Sequence, residues 1–192
     1  MSDIRAIDKT AHCDMGFAPS SGFLHTRALD RVSLLIAEIP LALMIYPLAF
    51  SQEREGLQLV AVLGGRAGQN DCLGEGGQWR VGYVPSLLRA WPFSPVEGSN
   101  GKPEVGFDHD SGLWRDKPDP VRGEKRFFDL GGDKTELLKK AEKFLRSCLT
   151  NKAITDAAVA ELGKAGVLMP WRFPDAISDG TPPEGLLCVD QK

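Results

Sequence analysis

The chain has 192 residues, 42% of them hydrophobic and 26% charged, with a net charge of −3 and a pI near 5.7. That is enough apolar material for a core without disulfides. Lys and Arg are interspersed with Asp and Glu, which argues against a nucleic-acid binder and against a polybasic membrane patch. Cys13, Cys72, Cys148 and Cys188 stand far apart with no CxxC pair, so they read as free thiols in a reducing compartment. The N-terminus has no apolar run followed by a small-residue cleavage site, so no signal peptide is predicted and a cytoplasmic protein is expected.

Residues 1–30 mix Gly, Ser, Pro and His with few periodic apolars, and read as a flexible arm. The stretch VSLLIAEIPLALMIYPLAF, residues 32–50, has the length of a membrane span. Three features count against one. Glu38 would cost roughly 2–3 kcal/mol near a bilayer centre. Pro40 and Pro47 interrupt helical hydrogen bonding. No second span shelters the breaks. A short helix over 34–39 ending near Pro40, then an extended segment over 44–50, satisfies the same residues in water.

The run LQLVAVL, residues 57–63, is bounded by glycines and predicts a strand. A short strand at 71–73, the turn Gly74-Glu75-Gly76-Gly77 and a returning strand at 79–84 follow. Pro85 opens a short helix to Arg89. Residues 94–125 are rich in Gly, Pro and charge and read mostly as surface loop, with one more strand at 104–108 and turn chemistry at 108–112. Asp133 or Thr135 caps a helix to about 149, Thr150-Asn151-Lys152 breaks it, and a second helix runs over 155–165 to Gly166. A strand over 167–173 closes the pattern.

The predicted fold is α+β: a small antiparallel β-meander or partly open barrel with short helices and a C-terminal antiparallel helix pair. One domain is expected over 31–192, comprising a meander at 32–95, a loop at 96–126, and the helix pair with its strand at 127–175.

The order Glu38…Tyr46-Pro47…Phe50, Leu59-Val60-Ala61-Val62-Leu63-Gly64, Gly68-Gln69-Asn70, Gly77-Gln78-Trp79, Gly82-Tyr83-Val84-Pro85, Leu88-Arg89 and Trp91-Pro92-Phe93 resembles the SapC family. The resemblance is carried by about a third of the chain and extends more weakly over 127–173. Trp91 stands where the family pattern has tyrosine, and the 71–73 strand is less apolar than the pattern. Residues 185–190 resemble a family stretch that then continues, so a shortened C-terminal lid is expected. The resemblance implies a role in a bacterial surface or uptake system and carries over no catalytic residues. It does not imply the transport permease that shares the family's name.

Candidate chemistry is sparse. His12, Cys13 and Asp14 are adjacent, but neighbours in an extended arm point apart. Asp108, His109 and Asp110 are a candidate site for a divalent metal, set against ordinary solvated turn chemistry. The glycines at 64, 65 and 68 lack the helix and Lys-Ser/Thr of a phosphate loop. Glu38 in an apolar helix needs a partner; an ion pair with Arg89 or Arg66 is the structural reading, a general acid or base the functional one. Arg66, Asn70, Trp79, Tyr83, Arg89 and Trp91 form the candidate ligand-binding face, set against simple core packing. The leading expectation is a non-catalytic binding or accessory protein that recognises a peptide or protein partner without a cofactor. The alternatives are a metal-dependent, oxygenase-like enzyme acting on a peptide or aromatic substrate, and a structural subunit of a larger assembly. The oligomeric state is not specified by these residues.

Overall fold

The computed structural model describes residues 3–20, 22–53, 56–98, 100–172 and 183–190. In chain order the elements are β1 (Ile4–Ala6), α1 (Lys9–His12), β2 (Gly16–Phe17), β3 (Arg31–Ser33), α2 (Ile39–Ala42), β4 (Leu48–Glu53), β5 (Gly56–Val62) and α3 (Ser86–Ala90). They continue with β6 (Phe93–Glu97), β7 (Pro103–Asp108), β8 (Trp114–Arg115), β9 (Lys125–Arg126), α4 (Glu136–Ala165), β10 (Leu168–Pro170) and β11 (Leu186–Val189). All strand pairs are antiparallel, and no barrel closes among the described residues. The α+β class is the one predicted. The described residues divide into two compact units: those up to 20 with 90–149, and 22–89 with those from 150 onward.

The first unit holds two three-stranded sheets, ordered β1-β7-β6 and β8-β2-β9. Its core is aromatic. Phe107 and Phe127 are 0% exposed, and Phe17 packs against both, with ring centroids 5.6 and 5.7 Å away. Leu138 and Leu145 of α4 complete the cluster. Gly16 is required in β2 because a Cβ there would run into the carbonyl oxygen of Lys125 on β9. Residues 4–6 and 16–17, expected in a loose arm, thus pair with β7, β8 and β9. Residues 94–97, expected as loop, form β6 against β7. Strands of two to five residues show no readable period, and their partners lie up to about a hundred residues away.

The second unit is built on a five-stranded sheet ordered β10-β11-β4-β5-β3. Leu59 and Ala61 of β5, with Leu63 just beyond it, face one cluster with Val32, Leu34, Tyr46, Leu88 and others. Val60 and Val62 face a second with Ala49 and Leu186. Burial on both faces explains the uninterrupted apolar run. The residues at 71–84 make only one isolated bridge, Leu73 to Trp79, where two strands were predicted. The helix expected over 34–39 is a single 3-10 turn, Ile36–Glu38, and α2 follows with Pro40 in its first turn. Proline is tolerated there because those amides have no intrahelical acceptor.

The predicted helix pair is one helix of 30 residues. Thr135 caps it, accepting from Leu138 N at 3.4 Å. Buried positions at Leu138, Leu145, Cys148, Thr155 and Val159 keep to a helical stripe straight through 150–152. Thr and Asn cost only tenths of a kcal/mol each in a helix interior, so tertiary packing overrides the break. Gly166, at φ 65°, ends it as predicted. The predicted 167–173 strand is β10; Phe173 lies outside the described residues.

Candidate functional site

The second unit is organised around a buried carboxylate. Glu38 ends the 3-10 turn and is 5% exposed. Its Oε2 accepts from Leu35 N at 2.9 Å, folding back on its own turn. Its Oε1 accepts from the Tyr83 hydroxyl at 2.6 Å and from Ser86 N at 2.7 Å. The last bond sets the carboxylate against the first amide of α3, where negative charge is favoured. Arg89, one turn along α3, donates to Ser86 Oγ at 2.9 Å and reaches the Tyr83 hydroxyl at 3.4 Å. Its guanidinium lies 5.5 Å from the Tyr83 ring centroid. The expected partner of Glu38 was an arginine, Arg89 or Arg66, in an ion pair. In this lock the donors to the carboxylate are a phenol and two backbone amides, with Arg89 bracing the same group from Ser86 and Tyr83.

A second layer continues from it. The Tyr46 hydroxyl donates to Tyr83 O. Trp79 Nε1 donates to Tyr46 Oη and Tyr83 O, each at 2.9 Å. Asn70 Nδ2 donates to Thr26 Oγ1 at 2.9 Å and Thr26 O at 3.2 Å, while its Oδ1 accepts from Cys72 N at 3.0 Å. Burial pushes the Tyr46 phenol up to about 12, against the opposing Trp79 hydrogen bond. Burial, reinforced by the Glu38 carboxylate, also raises Tyr83. The Cys72 thiol is pushed up to about 11, again by burial. These groups are therefore neutral hydrogen-bond donors near pH 7.

The predicted ligand face thus separates. Asn70, Trp79 and Tyr83 direct their polar atoms into internal hydrogen bonds, and Arg89 braces the lock. Arg66 is exposed in the 64–71 loop. That loop's amides are met by the chain's own carboxylates: Gly65 N donates to Asp71 Oδ2 at 3.0 Å and Gly68 N to Asp30 Oδ2 at 2.9 Å. Trp91 belongs to the first unit, where its Nε1 donates to Asp108 Oδ2 at 3.3 Å.

The residues at 108–110 are a capped turn. Asp108 Oδ1 accepts from Asp110 N at 3.1 Å, and Asp110 Oδ2 accepts from Asp3 N at 3.0 Å. The His109 ring stacks on Trp114 with centroids 4.0 Å apart, and its Nε2 is buried without a hydrogen-bond partner. Burial first, then the Arg5 charge, holds the imidazole below its ordinary value. Among the described residues no three His, Cys, Asp or Glu side chains gather as a metal site. Of His12, Cys13 and Asp14, the last two meet, Cys13 Sγ donating to Asp14 Oδ2 at 3.8 Å, while His12 Nδ1 accepts from Asp8 N at 2.9 Å and Asp14 also pairs with Arg126 at 2.6 Å.

One surface feature escaped the sequence reading. Leu41, Leu43 and Met44, on α2 and the turn after it, are 60%, 62% and 84% exposed. Their neighbours Ala42 and Tyr46 are buried. The signal was present in the apolar run 32–50, which holds more apolar side chains than one short amphipathic turn can bury. No described helix is long and apolar enough to cross a membrane.

The SapC family model matches residues 7–192, nearly the whole chain. The chain belongs to the SapC family. No curated protein and no solved structure matches it. The residues that carried the SapC resemblance now have physical roles. Glu38, Tyr46, Trp79 and Tyr83 make the buried hydrogen-bond lock. Asn70 ties the turn at 68–72 to Thr26.

Proposed function

We propose that this SapC-family protein is a non-catalytic binding protein that recognises a peptide or protein partner. Its setting would be the bacterial surface or uptake system that the SapC resemblance implies. The observation that carries this reading is the aliphatic ridge of Leu41, Leu43 and Met44. Adjacent large apolar side chains left in water cost solvation free energy that a partner recovers on docking. The ridge sits on a four-residue helix held from beneath by buried Ala42 and Tyr46 and, one residue before it, by the Glu38 lock. It is therefore presented in a fixed shape, which lowers the ordering cost of association.

The test is cross-linked pull-down from the native host with the wild-type chain and with Leu41→Ser, Leu43→Ser and Met44→Ser combined. A partner enriched by the wild type and lost from the triple variant is expected. An identical set of captured proteins, with both chains folded by circular dichroism, would overturn the reading.

A further inference from the structure

A cavity of about 240 Å³ opens in the first unit beside the start of α4. Its floor is Ile7, Val105, Phe128 and Leu138, the last three buried. The volume is below the usual range for drug-sized ligands and equals that of about eight liquid waters.

Charged side chains ring this floor, and most are already engaged. The Asp8 carboxylate caps α1, accepting from Ala11 N at 2.9 Å. Glu142 accepts from Lys134 at 2.7 Å and from Arg146 at 3.0 Å. Glu104 also lines the cavity, and its carboxyl lies over Gly98. Lys9 is different. It makes no ion pair or hydrogen bond with a described side chain. Its end lies over Gly132, where a Cβ would stand 2.7 Å from Cε and 2.9 Å from Nζ. Gly132 has φ 79°, so the backbone there also favours glycine. The bare backbone at 132 leaves room for the end of the Lys9 side chain, and Lys9 lines the rim of the cavity above its apolar floor.

We propose that this cavity binds a small organic anion, with an apolar body on Val105, Phe128 and Leu138 and a carboxylate on Lys9. An ammonium without an ion-pair partner among the described side chains, at the rim of a cavity with an apolar floor, matches a ligand with one charged end and one apolar end. The site is independent of the ridge on the second unit and stands or falls apart from it.

The experiment is a titration of the ¹⁵N-labelled full chain with phenylacetate, followed by amide chemical shifts. Phenethylamine carries the same ring with the opposite charge, and inorganic phosphate carries the charge without the ring. Saturable shifts at the amides of Val105, Phe128 and Leu138 are expected with phenylacetate. Lys9→Gln should weaken binding about fivefold, the upper end for a solvent-accessible charge pair. Both control probes should bind at least that much more weakly. Lys9 is exposed, so the variant keeps its fold and its spectrum reports this directly. No saturable shift at those amides, equal binding of either control probe, or unchanged affinity in Lys9→Gln would each overturn the proposal.

Discussion

Removing the Glu38 side chain should destabilise the second unit more than any surface substitution. In Glu38→Ala three donors lose their acceptor: Leu35 N, Ser86 N and the Tyr83 hydroxyl. Leu35 and Ser86 are buried, so each amide carries a cost of about 1–3 kcal/mol when left unpaired. Tyr83 is half-buried, so water replaces part of what it loses. The expected loss is about 4 kcal/mol, a large part of the 5–15 kcal/mol typical of a domain. Glu38→Gln separates the causes. Its amide oxygen still accepts from Tyr83 and Ser86, while its NH₂ group faces Leu35 N, donor against donor. A loss of about 2 kcal/mol is expected from that single mismatch. Urea unfolding followed by circular dichroism gives both values, and hydrogen exchange at the Leu35 and Ser86 amides localises them. Alanine within about 1 kcal/mol of wild type, or glutamine costlier than alanine, would refute the reasoning that the carboxylate acts as a shared acceptor.

The Thr155 hydroxyl accepts from Ile36 N at 2.8 Å and donates to Asn151 O at 2.7 Å. Thr155→Val should cost about 1 kcal/mol, since Ile36 is exposed and water replaces part of the lost bond, and should speed hydrogen exchange at the Ile36 amide, whereas Thr155→Ser should leave that exchange unchanged. His109 predicts a pH dependence. Burial against Trp114 puts its folded value below the ordinary 6.5, with Arg5 and His12 adding repulsion and Asp3 and Asp108 opposing it. The unfolded chain therefore binds the proton first, so stability is lost as pH falls through about 6.5 and levels off below the lowered folded value. Urea midpoints between pH 7.5 and 5 should drop in the wild type and drop less in His109→Phe; equal slopes would contradict the assignment.

The elements legible in the sequence are those whose environment is local. β5 could be read because its apolar run is bounded by glycines, α3 because Pro85 precedes its first turn, and the end of α4 because Gly166 adopts a positive φ. β1, β2 and β6 were not legible, because two to five residues carry no period and their partners are remote. The predicted break at 150–152 misjudged a weak propensity against a strong stripe, since Cys148 and Thr155 are buried on either side of it. The site was half legible. Glu38 in an apolar run signalled a buried partner, and the lock is there. Asn70, Trp79 and Tyr83 were placed on one face, but composition does not reveal whether a polar edge points inward or outward. Their hydrogen bonds to Thr26 and Tyr46, and Tyr83's to Glu38, answer that, and they link positions 33 to 45 residues apart.

β5 carries a consequence for how the chain avoids misalignment. A one-residue slip normally turns an apolar face to solvent and is rejected on that ground. With Leu59 and Ala61 on one side and Val60 and Val62 on the other, a slipped β5 would still bury apolar groups on both. Discrimination falls to the few polar features along the ladder. Gln58 is one, accepting from the Ser33 hydroxyl across the β3 pairing. Asp30 is another, its carboxylate taking Gly68 N at 2.9 Å just past the strand's end. In this sheet the apolar residues supply adhesion, and a handful of polar ones decide alignment.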